Sequence, residues 1–111
     1  MDIQSVKDII SWFCEKLEQS DIKVNRVVLF GSVSRNQDTV QSDIDIAVIS
    51  PDFIGVHLFD RIPMVGDAEW STTEKFKIPL DIILLTPEEY EPEDSIRMSF
   101  IRQGIDIPVH A

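Results

Sequence analysis

Leu29-Phe30-Gly31-Ser32-Val33-Ser34-Arg35 and, after a polar stretch, Ser42-Asp43-Ile44-Asp45-Ile46-Ala47-Val48 decide how this chain is read. Arg26 to Phe30 is a short apolar, β-branched run that stops at Gly31-Ser32, the pattern of a buried strand running into a turn. Asn36 to Ser42 is polar loop, and Ile44 to Ile49 is a second strand closed by Ser50-Pro51. Successive strand side chains point to opposite faces, so Asp43 and Asp45 share one face while Ile44, Ile46 and Val48 share the other and enter the core. Aspartate is a poor strand former, and two at a strand start repel each other. A divalent cation offsets that repulsion, because hard cations such as Mg²⁺ take carboxylate oxygens together with phosphates. The plain alternative is a solvated strand end with two incidental carboxylates, and Asp-x-Asp alone does not separate the two.

Gly31 lets a phosphate approach the backbone, and the amides that follow, with the Ser32 hydroxyl, can cradle it. A plain strand-ending turn reads the same way. Arg35 is within reach of such a phosphate, or is simply a solvent-exposed arginine. Neither G-x-x-x-x-G-K-[ST] nor G-x-G-x-x-G occurs. Asp81 is the single charge in Pro79-Leu80-Asp81-Ile82-Ile83-Leu84-Leu85, a third strand. It is a water-facing strand end unless this strand lies beside the one bearing Asp43 and Asp45. In that case three carboxylates converge and suit a two-metal in-line phosphoryl or nucleotidyl transfer.

The remaining sequence supplies the frame. Ile3, Val6, Ile10, Phe13 and Leu17 recur at helical spacing, with Asp2 as N-cap and Gln19-Ser20-Asp21 as the end. Between Asp52 and Phe76 the pattern is ambiguous. Phe53, Val56, Phe59 and Ile62 fit a helix that Pro63 and Gly66 interrupt, with a second helical piece carrying Trp70. Glu88 to Asp94 reads as an acidic linker, Ser95 to Gln103 as a last helix stopped by Gly104, and Ile105 to Val109 as an edge strand, since Pro108 excludes a central one. Strands alternating with helices imply an α/β (α+β) fold, a small mixed sheet packed by helices. The 111 residues fit one domain, 1–111.

Composition limits the partners. With 20 acidic and 10 basic residues the formal net charge is -10, which argues against direct nucleic-acid binding and against an anionic membrane surface. A nucleotide remains admissible if divalent cations stand between the two sets of negative charge. The start MDIQSVKD has no basic region followed by an apolar run, and no apolar stretch is long enough to span a bilayer. Cys14 is the one cysteine, a buried helical residue by its neighbours Phe13 and Leu17, and fits a reducing, cytoplasmic setting.

Leu29-Phe30-Gly31-Ser32-x-x-Arg35 followed by Ser42-Asp43-Ile44-Asp45 resembles the signature of the minimal nucleotidyltransferases, within the DNA polymerase β-like nucleotidyltransferase superfamily. The distance from Gly31 to Asp43 is the family's spacing, and Asp81 matches its third aspartate on a later strand. The resemblance runs from the strand at Arg26 to Gly104-Ile105. Val33 stands where many members have a basic residue and Asn36 where many have glycine, and the middle segment with Pro63 and Gly66 is less regular than the usual helix.

The resemblance implies that Asp43, Asp45 and Asp81 are catalytic and hold two Mg²⁺ ions, with Asp81 also serving as base. It implies that Gly31, Ser32, Arg35 and Ser42 bind the nucleotide, ATP or another nucleoside triphosphate, and that a nucleoside monophosphate is transferred. Small stand-alone members of the family often act as antitoxins beside a helical HEPN-type toxin and can adenylylate it, so the favoured acceptor is a partner protein. The alternatives are a non-catalytic antitoxin that blocks its partner by binding, and a small-molecule transferase of the aminoglycoside type, whose acceptor pocket a homodimer would have to build.

Overall fold

The structure, a computed structural model, describes residues 3–30, 44–90 and 104–107. Helix α1 (Ile3–Gln19) leads into strand β1 (Arg26–Phe30). After strand β2 (Ile44–Ile49) come a 3-10 turn (Pro51–Phe53) and helix α2 (Leu58–Phe76). Strand β3 (Leu80–Leu85), the one-turn helix α3 (Pro87–Tyr90) and strand β4 (Ile105–Ile107) complete the described elements. The sheet order is β3-β2-β1-β4. β1 pairs antiparallel with both β2 and β4, and β2 pairs parallel with β3 through the α2 crossover. The sheet is mixed and packed by helices, as expected. β4 lies at its edge, and Pro108 and Val109, read as its continuation, lie outside the described residues. So do Asp2, the expected cap of α1, and the expected helix at 95–103.

Strand alternation sorts the sheet into two faces. On one, Val27 and Leu29 of β1 and Ile44, Ile46 and Val48 of β2 join Val6, Ile10, Phe13 and Leu17 of α1 and Val65 and Ala68 of α2 in the main core. On the other, Val28, Ala47, Ile49, Leu85 and Tyr90 form a smaller cluster, with Phe30 and Ile83 against it. Among the described residues, no helix is long and apolar enough to cross a membrane.

The segment between Asp52 and Phe76 differs from the expectation. Pro63 and Gly66 do not break it: α2 is one helix of 19 residues. Proline in a helix removes one backbone hydrogen bond, here to the carbonyl of Phe59. Pro63 and Phe59 both lie on the solvent side, where water can take that bond. The opposite face carries Arg61, Val65, Ala68 and Thr72, all buried, and tertiary packing there outweighs the local penalty. The apolar set expected to form the helix's buried stripe is also redistributed. Phe53 is buried in the 3-10 turn, whereas Phe59 and Ile62 are exposed.

The acidic linker is a second correction, because its first residues are helical. Thr86 caps α3: Thr86 Oγ1 accepts from the Glu89 amide at 3.1 Å, and the Thr86 amide donates to Glu89 Oε1 at 2.8 Å. This reciprocal pair is a capping box, with proline at the first helical position. Arg61 closes the same corner from α2. Its Nε donates to Val56 O at 2.9 Å, Nη1 to Leu84 O at 3.0 Å, and the fork to Glu89 Oε1 and Oε2 at 2.7 and 3.2 Å.

Cys14 is buried, as read from its neighbours. Burial pushes its thiol up to about 12, with the charge of Glu18 adding to the effect. The thiolate is the reactive species, so native Cys14 should resist iodoacetamide at pH 8. Alkylation followed against denaturant should track global unfolding, and rapid labelling of the folded chain would contradict this packing.

Candidate functional site

Three strand ends meet at one end of the sheet: the exit of β1 and the entries of β2 and β3. In the register, Phe30 stands opposite Asp45, and Asp45 stands opposite Asp81. Paired residues on neighbouring strands share a face, so the Asp45 and Asp81 side chains leave the sheet side by side. The Ile44 amide donates to the Pro79 carbonyl at 3.1 Å, which ties the two strand entries together. Ile44 and Leu80, the partners one step earlier, are buried in the main core. That burial locks the register, because a one-residue slip of either strand would turn its aspartate into the core and its isoleucine or leucine out of it. Asp45 is half-buried and Asp81 exposed.

A further acid stands within electrostatic reach. Glu69 of α2 has its carboxyl raised above the usual value, first by burial and second by the charge of Asp81. Negative charge is therefore concentrated where β3 begins, and Glu69 did not stand out in the sequence because nothing local ties a helical glutamate to a strand entry. Among the described residues, no three histidine, cysteine, aspartate or glutamate side chains form a group able to hold a metal ion. Asp45 and Asp81 together supply hard oxygen donors for one side of such a site, which fits a divalent cation that also takes phosphate oxygens. Asp43, the expected third carboxylate, lies outside the described residues, as do Gly31, Ser32, Arg35 and Ser42. In sequence, Gly31 follows Phe30, the last residue of β1, and Asp43 precedes Ile44, the first of β2.

Arg61 and Glu89, which the sequence reading passed over, are a structural pair at the opposite end of β3. The signal for Glu89 was present in Thr86-Pro87-Glu88-Glu89, a capping-box sequence. The signal for Arg61 was its place on the helical stripe with Val65, Ala68 and Thr72.

Residues 6–107 match the family described as nucleotidyltransferase domain. The chain belongs to that nucleotidyltransferase domain family. A search of characterised proteins gave no sequence match. Among solved structures, the chain is similar to one from Sulfolobus solfataricus described as a nucleotidyltransferase, with a TM-score of 0.64 and 21% identity over 90% of this chain and 77% of that one. It is also similar to a chain of a toxin-antitoxin structure with AMP-PNP, with a TM-score of 0.56 and 21% identity over 91% of this chain and 71% of that one. At this identity the likeness concerns the fold, which is the nucleotidyltransferase fold.

Proposed function

We propose that this protein transfers a nucleoside monophosphate, AMP from ATP, to a hydroxyl on a partner protein, as the antitoxin of a toxin-antitoxin pair with a helical HEPN-type toxin. The observation that carries the reading is the alignment of Asp45 with Asp81 on one sheet face, at the end of the sheet where β1 finishes with Phe30. A transfer site needs carboxylates gathered beside a phosphate-binding turn, and this register gathers two of them.

Asp43, Asp45 and Asp81 would hold two Mg²⁺ ions. When bound, the ions supply charge stabilisation on the attacking and leaving oxygens. Gly31 and Ser32 would offer amides and a hydroxyl to the outer phosphates, and Arg35 and Ser42 would bind the same nucleotide. Asp81, exposed at the strand entry, accepts the proton of the acceptor hydroxyl as that oxygen attacks the α-phosphate. Pyrophosphate then leaves. Exposure suits this role, because a protein hydroxyl must reach Asp81 from outside. The paired-partner part of the reading draws on the similarity to the toxin-antitoxin chain solved with AMP-PNP.

Calorimetry tests the binding half. The site concentrates negative charge, so ATP should bind weakly without a divalent cation and markedly tighter with Mg²⁺. Equal affinity in both conditions would count against metal-bridged binding. Ser32→Ala should weaken triphosphate more than monophosphate, since its contact is with the outer phosphates. Transfer of label from α-labelled ATP to a co-expressed helical partner, and not to RNA or a drug, tests the acceptor.

A further inference from the structure

Helix α2 is apolar on two opposite sides. One side faces the sheet through Val65, Ala68 and Thr72. On the other, Phe59, Ile62, Gly66 and Trp70 follow one another at helical spacing and form a single stripe. Phe59 is 75% exposed, Trp70 67% and Ile62 56%, with Leu58 at the margin at 53%. Scattered exposed apolar residues need no explanation, but a contiguous row of large ones marks an interaction surface.

Two features say what covers it. The first is Gly66 in the middle of the stripe. Glycine destabilises a helix interior relative to alanine, and a methyl group built at Gly66 would meet nothing within 4 Å. Packing among the described residues does not require glycine there. What it provides is a notch between Ile62 and Trp70, into which another helix can press. The second is charge. Asp60, Asp67 and Glu74 recur every seven residues and run as an acidic rail along one flank of the stripe, all exposed. Glu74 also meets Lys77 at 3.5 Å. Glu69 lies on the other flank. A second copy of α2 packed antiparallel would set the two rails against each other, and packed parallel would set each rail against Glu69. Both arrangements oppose like charges in a chain of net charge -10.

We infer that the Phe59-Ile62-Gly66-Trp70 face of α2 docks a helix of a different protein, one with an apolar stripe flanked by a row of arginine or lysine at seven-residue spacing. The inference rests on the partner reading above and adds the face through which the partner is held, on an element whose far end leads into Asp81. The probe is a synthetic helical peptide of the length of α2, with leucines along one stripe and arginines along its flank, and a twin carrying glutamates in place of the arginines.

In a Trp12→Phe background Trp70 is the single tryptophan. The arginine peptide should bind, shift Trp70 emission to the blue and weaken as salt is raised, while the glutamate twin should not bind. Phe59→Glu should weaken binding by at least about tenfold. Gly66→Ala should raise the melting temperature yet weaken the peptide, two effects of opposite sign that a merely permissive glycine would not produce. No binding of the arginine peptide, or equal binding by Phe59→Glu, overturns the inference. Concentration-dependent dimerisation of the chain alone, abolished by Phe59→Glu, would assign the face to a second copy and overturn it as well. Asp81→Asn should bind the peptide normally, and Phe59→Glu should keep the affinity for ATP with Mg²⁺. Failure of the wild-type chain to bind the arginine peptide while it still binds ATP with Mg²⁺ therefore sinks the docking face alone, and the converse sinks the nucleotide site alone.

Discussion

Asp81→Asn should fold, bind its partner and transfer almost no label from α-labelled ATP. The substitution keeps shape and volume but removes a proton acceptor and a charge. A general base contributes roughly 10²–10⁴-fold to rate, and loss of a metal ligand adds to that. Asp45→Asn should lose transfer through the metals alone, because the register places its side chain next to that of Asp81 on the same face.

Stability offers a second readout that does not depend on activity. Glu69 is held above its usual value by burial and by Asp81, so the folded state binds that proton more tightly than the unfolded chain does. Such a group contributes stability that is present below the unfolded value and is lost as pH rises through the folded one. Removing the Asp81 charge should therefore recover part of that loss, and Asp81→Asn should melt slightly higher than wild type near neutrality, with the gap closing in acid. Undiminished transfer by Asp81→Asn would place the base elsewhere. Transfer by neither protein, with the partner still neutralised by both, would leave the blocking module as the function.

The largest effect on stability should come from Arg61. It is 5% exposed, and it satisfies two backbone carbonyls and the Glu89 carboxylate at once. Arg61→Met keeps much of the apolar stem but removes the guanidinium from Val56 O, Leu84 O and Glu89, leaving Glu89 only the Thr86 amide. Breaking a buried pair by removing one partner costs about 3–5 kcal/mol. Glu89 is 40% exposed and can rehydrate, which places the expected loss at the low end, about 3 kcal/mol. For a chain of this size that is a fall in melting temperature of about 10 °C. Arg61→Lys should rescue little, because an ammonium cannot serve three acceptors in the geometry of the guanidinium fork.

The pH dependence of this corner has a definite sign. The Arg61 hydrogen bond, above all, holds the Glu89 carboxyl below its usual value of 4.5. Its contribution is therefore present above that value and is lost as pH falls through the lowered one. Glu89→Gln should cost stability at pH 7, and the difference from wild type should shrink in strong acid. Melting curves of wild type and Glu89→Gln between pH 2 and pH 7 check this, and a constant difference would mean that the ion pair does not contribute.

Sequence alone determined whatever local chemistry decides. The alternation in Asp43-Ile44-Asp45-Ile46-Ala47-Val48 set which side chains enter the core, because a strand has only two faces and burying Asp45 in place of Ile44 would be prohibitive. The helical spacing of Val6, Ile10, Phe13 and Leu17 likewise determined α1 and its buried side. The spacing of Gly31, Asp43, Asp45 and Asp81 pointed to the family and to one end of the sheet. That Asp81 stands beside Asp45 follows from the parallel pairing of β2 with β3, a non-local choice on which neither strand's sequence bears alone. Packing, too, carried α2 through Pro63 and Gly66: the burial of Val65, Ala68 and Thr72 outweighs one lost backbone bond and one unfavourable glycine. The same packing turned Phe59, Ile62 and Trp70 outward and drew Arg61 inward, where its charge is tolerated because Glu89 and two carbonyls meet it. Apolar periodicity counts hydrophobic residues on a helix, but which side of the helix meets the sheet depends on what the sheet offers in return.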